Sequence, residues 1–221
     1  MKLATSYYEK YLLQQIGKYP RPHHVSLVLS EADLLHKEES GYRKLKEYIL
    51  WCKQLGISIT SIYIDVLDTE EKLKSEMIEK VSGKLNEILQ KLPDNSGYEI
   101  FGENGGTYSK KEGKHFQVYV SVGFGGREEV TKAVKDILEN VKEGKIKPSE
   151  ITETTIESRL VVKHEPDILI RSGGKHLSDF LIWQSIYSEY YFTDVNWHDV
   201  RKLDLLRIIR DFQKRQRRYG K

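Results

Sequence analysis

A single cysteine, Cys52, is present among the 221 residues. That excludes an internal disulfide and any cysteine-rich zinc site. Cys52 falls on a helical pattern with Tyr48, Ile49 and Leu55, so a buried structural thiol in a reducing compartment is expected. Long apolar runs are also missing. No stretch approaches the roughly 18–20 apolar residues that a membrane span needs. The densest one, from Phe180 to Phe192, is broken by Gln184, Ser185, Ser188 and Glu189 and reads as a core or interface element. Residues Met1 to Tyr7 lack the apolar core and small-residue cleavage site of a secretory signal. The expected location is cytoplasmic, with peripheral membrane contact as the most that the chain offers. No repeat, low-complexity tract or linker interrupts it. The formal net charge of +3 is too small to imply a nucleic-acid partner, and none is expected.

What is present suits one α/β domain over residues 1–221, with 38% hydrophobic and 31% charged residues. His24 to Leu29 reads as a buried strand after a proline-rich approach, and Ile57 to Val66 as a second. Between them a charged connection runs from Glu31 to Glu39. A helix then begins at Gly41, carrying Leu45, Tyr48, Ile49, Cys52 and Leu55 at helical spacing. Asp68 or Thr69 is positioned to cap a long helix with the stripe Leu73, Met77, Ile78, Val81, Leu85, Ile88, Leu89 and Leu92. Tyr98 to Phe101 and Phe116 to Val122 read as strands, separated by a flexible glycine-bearing segment, 102–113. A helix follows from Arg127, then a strand at Pro166 to Ile170, then a last helix from Leu203 to Phe212. Strands alternating with long helices predict a central, mostly parallel sheet flanked by helices. After Val200 the chain carries nine basic residues against Asp204 and Asp211, so residues 213–221 form a basic tail suited to an anionic partner.

Ligands of open parallel sheets gather where strands end. Three such exits carry chemistry. Leu29-Ser30 ends the first strand. Gly123 to Arg127 offers glycines at a helix N-terminus, either as an anion cradle or as a tight turn in which Glu128 and Glu129 favour the helix dipole. Arg171, followed by Ser172-Gly173-Gly174, pairs a guanidinium that can hold phosphate with backbone that can approach it.

The run Pro166 to Gly174, then Leu177 to Gln184, then Tyr187 to Phe192, resembles the C-terminal signature of the cis-prenyltransferases. Gly125-Gly126-Arg127-Glu128-Glu129, Pro22-His23-His24-Val25 and Gly41-Tyr42-Arg43-Lys44 resemble further family blocks in the family's order. The resemblance implies that Arg171 and Ser178 bind isopentenyl diphosphate, unless they are only retained fold contacts. It implies that Glu189 lies near a dimer interface, as an interface hydrogen-bonding group or a magnesium ligand in trans. Trp183, Tyr187, Tyr190, Tyr191 and Phe192 are expected in the core and at that interface.

The departures are specific. Catalytic members follow the first strand with Met-Asp-Gly-Asn-x-Arg, whereas this chain has Leu29-Ser30-Glu31-Ala32-Asp33-Leu34. Tyr42 stands where the family has histidine, Asp65 to Thr69 replaces the Phe-Ser-x-Glu-Asn block, and Lys175-His176-Leu177-Ser178 lacks a second arginine. A hydroxyl cannot supply a magnesium carboxylate. The terminal Arg218-Tyr219-Gly220 resembles the Arg-x-Gly of Nogo-B-receptor-type subunits. The combination implies a non-catalytic subunit that dimerises with a catalytic cis-prenyltransferase. In that role Arg218 and Gly220, with Tyr219, reach the partner's isopentenyl diphosphate site while the partner holds Mg2+. The joint product would be a long-chain Z-polyprenyl diphosphate glycan carrier. Two alternatives stand beside it: a self-sufficient homodimeric synthase whose metal site uses Glu31 or Asp33, and a module binding RNA or anionic lipid through its basic end.

Overall fold

β-Branched and apolar residues set the sheet at the centre of the chain. In the computed structural model, which describes residues 2–67, 69–173 and 180–215, helix α1 (Lys2–Ile16) leads into strand β1 (His24–Ser30), a short α2 (Glu31–Leu35) and α3 (Glu38–Gln54). Strand β2 (Ile59–Asp65), α4 (Glu71–Leu89), β3 (Ser96–Phe101), β4 (Thr107–Lys111) and β5 (Phe116–Val122) follow. The chain continues through α5 (Gly126–Lys142), α6 (Glu153–Glu157), β6 (Ile168–Ser172), β7 (Glu189–Thr193) and α7 (Lys202–Lys214). The seven strands lie in the order β4-β3-β5-β2-β1-β6-β7. Every neighbouring pair is parallel except β3 with β4. The expected single α/β domain with a mostly parallel sheet is therefore what the chain forms.

Strand periodicity gives the sheet two unlike faces. One carries Leu27, Leu29, Ile62, Ile64, Val120 and Ile170 and buries the main core beneath α1, α3, α4 and α7. On α3 the predicted stripe Leu45, Tyr48, Ile49 and Cys52 is at most 1% exposed. Ile78, Val81, Leu85 and Leu89 of α4 fill the same layer. Each such side chain contributes roughly 1.5–3 kcal/mol when fully buried. The opposite face carries a smaller cluster, Val28, Tyr63, Phe101, Val162, Leu169, Phe180 and Leu181. Within it the Tyr63 and Phe180 rings stack 4.9 Å apart.

Gly41 shows why α3 needs a glycine early. A Cβ there would lie 2.6 Å from the Asp33 carbonyl oxygen and 2.9 Å from the Leu34 Cα, so only glycine lets α3 fold back onto α2. Its carbonyl accepts a hydrogen bond from Trp197 Nε1 at 3.2 Å, anchoring a wholly buried indole.

Four local expectations change. The charged connection contains α2, and α3 begins at Glu38 rather than Gly41. The glycine-bearing segment holds strand β4, whose polar residues pair antiparallel with β3. Glu189 to Phe192 is strand, not only an aromatic run. Helix α4 starts after Glu70, so Thr69 is not its cap, and Asp68 lies outside the described residues.

Candidate active site at the strand exits

Parallel register brings the chemistry of three strands to one end of the sheet. Ser30 pairs with Asp65 across β1 and β2, and Arg171 pairs with Val28 across β6 and β1. By alternation, Ser30, Asp65 and Arg171 share the face of Val28, Tyr63 and Leu169 at its C-terminal edge. This is where an open parallel sheet collects its ligand.

The β1 exit is turned inward. Ser30 donates both its backbone N–H and its hydroxyl to Asp33 Oδ2, at 2.8 and 2.9 Å. Asp33 thereby closes the first turn of α2, the usual use of a carboxylate at a helix start. Glu31 is buried, and its Oε2 accepts the Leu67 N–H at 3.2 Å. Burial raises the Glu31 carboxyl above its ordinary value, and the charges of Asp65 and Asp33 add to that rise.

The β6 exit is open in a different sense. Arg171 is half-buried, and its Nε is sealed from solvent without a hydrogen-bond partner. Leaving such a donor unpaired costs about 1–3 kcal/mol, which an arriving anion would recover. Next to it, the Ser172 hydroxyl donates to the Val195 carbonyl at 3.0 Å and the Gly173 N–H donates to the Thr193 carbonyl at 3.1 Å. Gly173 has φ +70°, a conformation that favours glycine. Ser178 lies outside the described residues, as do Arg218, Tyr219 and Gly220.

Of the two readings of the third exit, the tight turn fits what surrounds it. Gly123 sits against Ile78 and Val66 with φ +67°, and the Ser121 hydroxyl donates to the Phe124 carbonyl at 2.6 Å. Glu129 stands in the first turn of α5, as the dipole reading required, and has a further role. It is 5% exposed and accepts hydrogen bonds from Val161 N–H (2.7 Å), Val162 N–H (3.3 Å) and Gln184 Nε2 (3.2 Å). Burial raises its carboxyl above the ordinary value. It ties α5 to the two segments that cover the smaller core. The signal was available: Glu129 stands four and eight residues before Ala133 and Ile137, on the buried stripe of α5.

Glu189 is brought to the other end of the sheet. It opens β7 opposite Ile168, the first residue of β6, while Arg171 pairs three residues further on with Phe192. Its carboxylate accepts a 2.6 Å ion-paired hydrogen bond from Arg215, which also meets Asp211 at 3.0 Å and lies over the Tyr191 ring at 4.7 Å. Within one chain, therefore, Glu189 and Arg171 do not form one site. Among the aromatic run, Tyr187 and Phe192 are exposed and Trp183, Tyr190 and Tyr191 are half-buried.

Among the described residues no group of three or more histidine, cysteine, aspartate or glutamate side chains could hold a metal ion by itself. Magnesium delivered on a diphosphate asks for less, since one or two carboxylates suffice when phosphate oxygens and water complete the shell. The carboxylates at the β1 exit fit that smaller demand. Asp33 is half-buried and uses only Oδ2 in its cap, and Glu31 and Asp65 lie close enough to perturb one another.

The undecaprenyl diphosphate synthase family model matches residues 69–220 of the chain. A relative from Pyrococcus abyssi is 31% identical over 100% of this chain and 95% of its own length. Relatives from Picrophilus torridus and Methanocaldococcus jannaschii are 33% and 32% identical, covering 96% and 97% of this chain and 95% and 88% of their own. The chain belongs to the cis-prenyltransferase family. Each of those relatives is named a tritrans,polycis-undecaprenyl-diphosphate synthase (geranylgeranyl-diphosphate specific). Lavandulyl diphosphate synthase from Lavandula x intermedia, solved with dimethylallyl diphosphate, superposes with a TM-score of 0.76 at 22% identity, over 91% of this chain and 99% of that one. A probable undecaprenyl diphosphate synthase from Campylobacter jejuni superposes with a TM-score of 0.70 at 23% identity, over 91% and 100%.

These likenesses correct the main functional expectation. Ser30 and the terminal Arg-x-Gly pointed to an accessory subunit, whereas the full-length relatives carry the names of synthases. The physical step that misled is visible at β1. Replacing the family's aspartate by Ser30 did not strip carboxylates from that exit, because Glu31, Asp33 and Asp65 stand there.

Proposed function

We propose that the chain is itself a cis-polyprenyl diphosphate synthase. It condenses isopentenyl diphosphate with an allylic diphosphate, without a separate catalytic subunit. The observation that carries this reading is end-to-end similarity to archaeal synthases specific for geranylgeranyl diphosphate. That similarity favours geranylgeranyl diphosphate as the primer and a long polyprenyl diphosphate as the product.

The chemistry assigned to the residues is electrostatic. When the allylic carbon–oxygen bond breaks, the electron pair leaves with the diphosphate, the isopentenyl double bond takes the allylic carbon, and a proton is lost. Arg171, with its unpaired Nε, anchors a diphosphate at the β6 exit. Ser178 is assigned to the same anion. Asp33 and Glu31 are the carboxylates that would meet a magnesium ion, which when bound neutralises charge on the leaving group. We assign Arg218 and Gly220, beside Tyr219, to a diphosphate in a second copy of this chain. The ion pair of Glu189 with Arg215 supports a structural role for that carboxylate.

The test is incorporation of labelled isopentenyl diphosphate into an organic-extractable polyprenyl product by the purified chain, offered dimethylallyl, farnesyl and geranylgeranyl diphosphates in turn. Product with wild type, greatest with geranylgeranyl diphosphate, is expected. Equal use of all three primers would remove the primer assignment, and no product with any of them would remove the synthase reading.

A further inference from the structure

The surface built by α1 and α7 is unlike the rest of the molecule. Residues 6–18 and 201–215 hold eight lysines and arginines against three acids, while residues 19–200 are net negative. The two helices pack through Leu12 and Ile16 on α1 and Leu205, Ile209 and Phe212 on α7, all buried. That packing leaves the outward face of α1 fixed. Tyr7, Lys10, Tyr11 and Gln14 recur at the i, i+3, i+4, i+7 spacing of one helical face, all exposed, and Lys18 follows just past the helix. Tyr7 is 79% exposed. Arg207 of α7 lies 5.5 Å from the Tyr8 ring centroid, and Tyr8 in turn stacks on Tyr11. Arg207 and Lys214 are exposed beside this face.

We propose that this tyrosine–lysine face docks the protein on a bilayer carrying anionic headgroups. Phenol rings with apolar bodies and polar tips settle at the headgroup level, and neighbouring lysines and arginines meet the negative surface. The face is the outer side of a helix, not a groove that could follow a single strand. The choice of a bilayer over a nucleic acid rests on the synthase reading, since a long polyprenyl product partitions into a membrane. Because no helix among the described residues is long and apolar enough to cross a membrane, surface docking is the form such contact takes.

The experiment is co-sedimentation of the full-length protein with vesicles of phosphatidylcholine alone or of equal parts phosphatidylcholine and phosphatidylglycerol, at low and high salt. Binding to the anionic vesicles that weakens with salt is expected. Each basic residue near the surface contributes about fivefold to partition. The double variant Lys10→Glu, Lys18→Glu should therefore lose at least about tenfold, and Tyr7→Ala with Tyr11→Ala should lose binding without a change in melting temperature. Removal of residues 216–221 should leave the α1-dependent part in place. No binding to phosphatidylglycerol vesicles would overturn the proposal. So would binding that is indifferent to the α1 variants, or tighter binding of single-stranded RNA through the same residues. Vesicle binding is read without turnover, so a failed synthase assay and a failed docking assay are distinguishable.

Discussion

The exits of β1 and β6 lie side by side on one sheet face and use their charges in opposite ways. At β6, Arg171 keeps a buried donor without a partner, next to a glycine in the left-handed region. At β1, the polar groups are spent on one another: Ser30 donates twice to Asp33, and Glu31 accepts from Leu67. The first arrangement stores an unmet demand for an anion. The second gathers acids in a place where burial raises the Glu31 carboxyl above its ordinary value. On the proposed reading, Arg171 serves one half of a diphosphate site, and the carboxylates one and three residues after Ser30 serve the other.

The contrast is broken most directly at Arg171. Arg171→Ala should lower kcat/KM for isopentenyl diphosphate by roughly 100-fold, the scale of losing one charged stabilising group, with little change in melting temperature. Arg171→Lys should recover only part of that, because an ammonium lacks the planar fork. Full activity in Arg171→Ala would place the diphosphate elsewhere. The next largest effect is on stability. Glu129→Ala leaves the Val161 and Val162 N–H groups without their acceptor, while the Gln184 amide keeps the Val162 carbonyl, so urea unfolding should show a loss of about 2–3 kcal/mol. A loss below about 0.5 kcal/mol would show that water replaces the carboxylate there. At the β1 exit, Ser30→Ala removes one of the two hydrogen bonds to Asp33 and should cost about 1 kcal/mol, as loss of a cap does.

The smallest effect sharpens the comparison through pH. The Glu31 carboxyl is raised above its ordinary 4.5 by burial, with Asp65 and Asp33 adding to it. A raised carboxyl contributes stability that is present below 4.5 and is lost as pH rises through its folded-state value. Glu31→Gln keeps an oxygen for the Leu67 N–H and removes that loss. Relative to wild type, the variant should therefore gain melting temperature from pH 4.5 to 8, and a constant difference would mean that Glu31 is not perturbed.

Much of the frame was legible because it rests on periodicity. β1, β5 and the stripes of α3 and α4 follow from alternating or 3.6-residue patterns that the core imposes. Edge strands were harder. Thr107–Lys111 has no apolar face, and Glu189–Thr193 mixes exposed and half-buried residues, so neither carried the apolar run of a strand packed on both sides. At the site, Arg171 could be placed because it follows an apolar strand. The inward turn at Ser30 could not, since it depends on Asp33 folding back through a five-residue helix that the charged composition concealed. Glu129 was read only in part: it stands in the first turn of α5, where the dipole favours it, but its spacing also put it inside. The sequence did offer Glu31 and Asp33 as substitutes for the aspartate that Ser30 replaces; what it did not show is that Asp65 at the end of β2 stands beside them, so that α2 and β2 together bring three acids to one exit.

The central claim is that this site works without another subunit. It is tested most directly by the rate at which the purified chain alone, with magnesium and geranylgeranyl diphosphate, incorporates labelled isopentenyl diphosphate, compared with the same chain mixed with a catalytic family member inactivated at its own metal-binding aspartate. The account predicts turnover by the chain alone, unchanged on mixing. Absence of turnover until an uninactivated catalytic partner is supplied would contradict it.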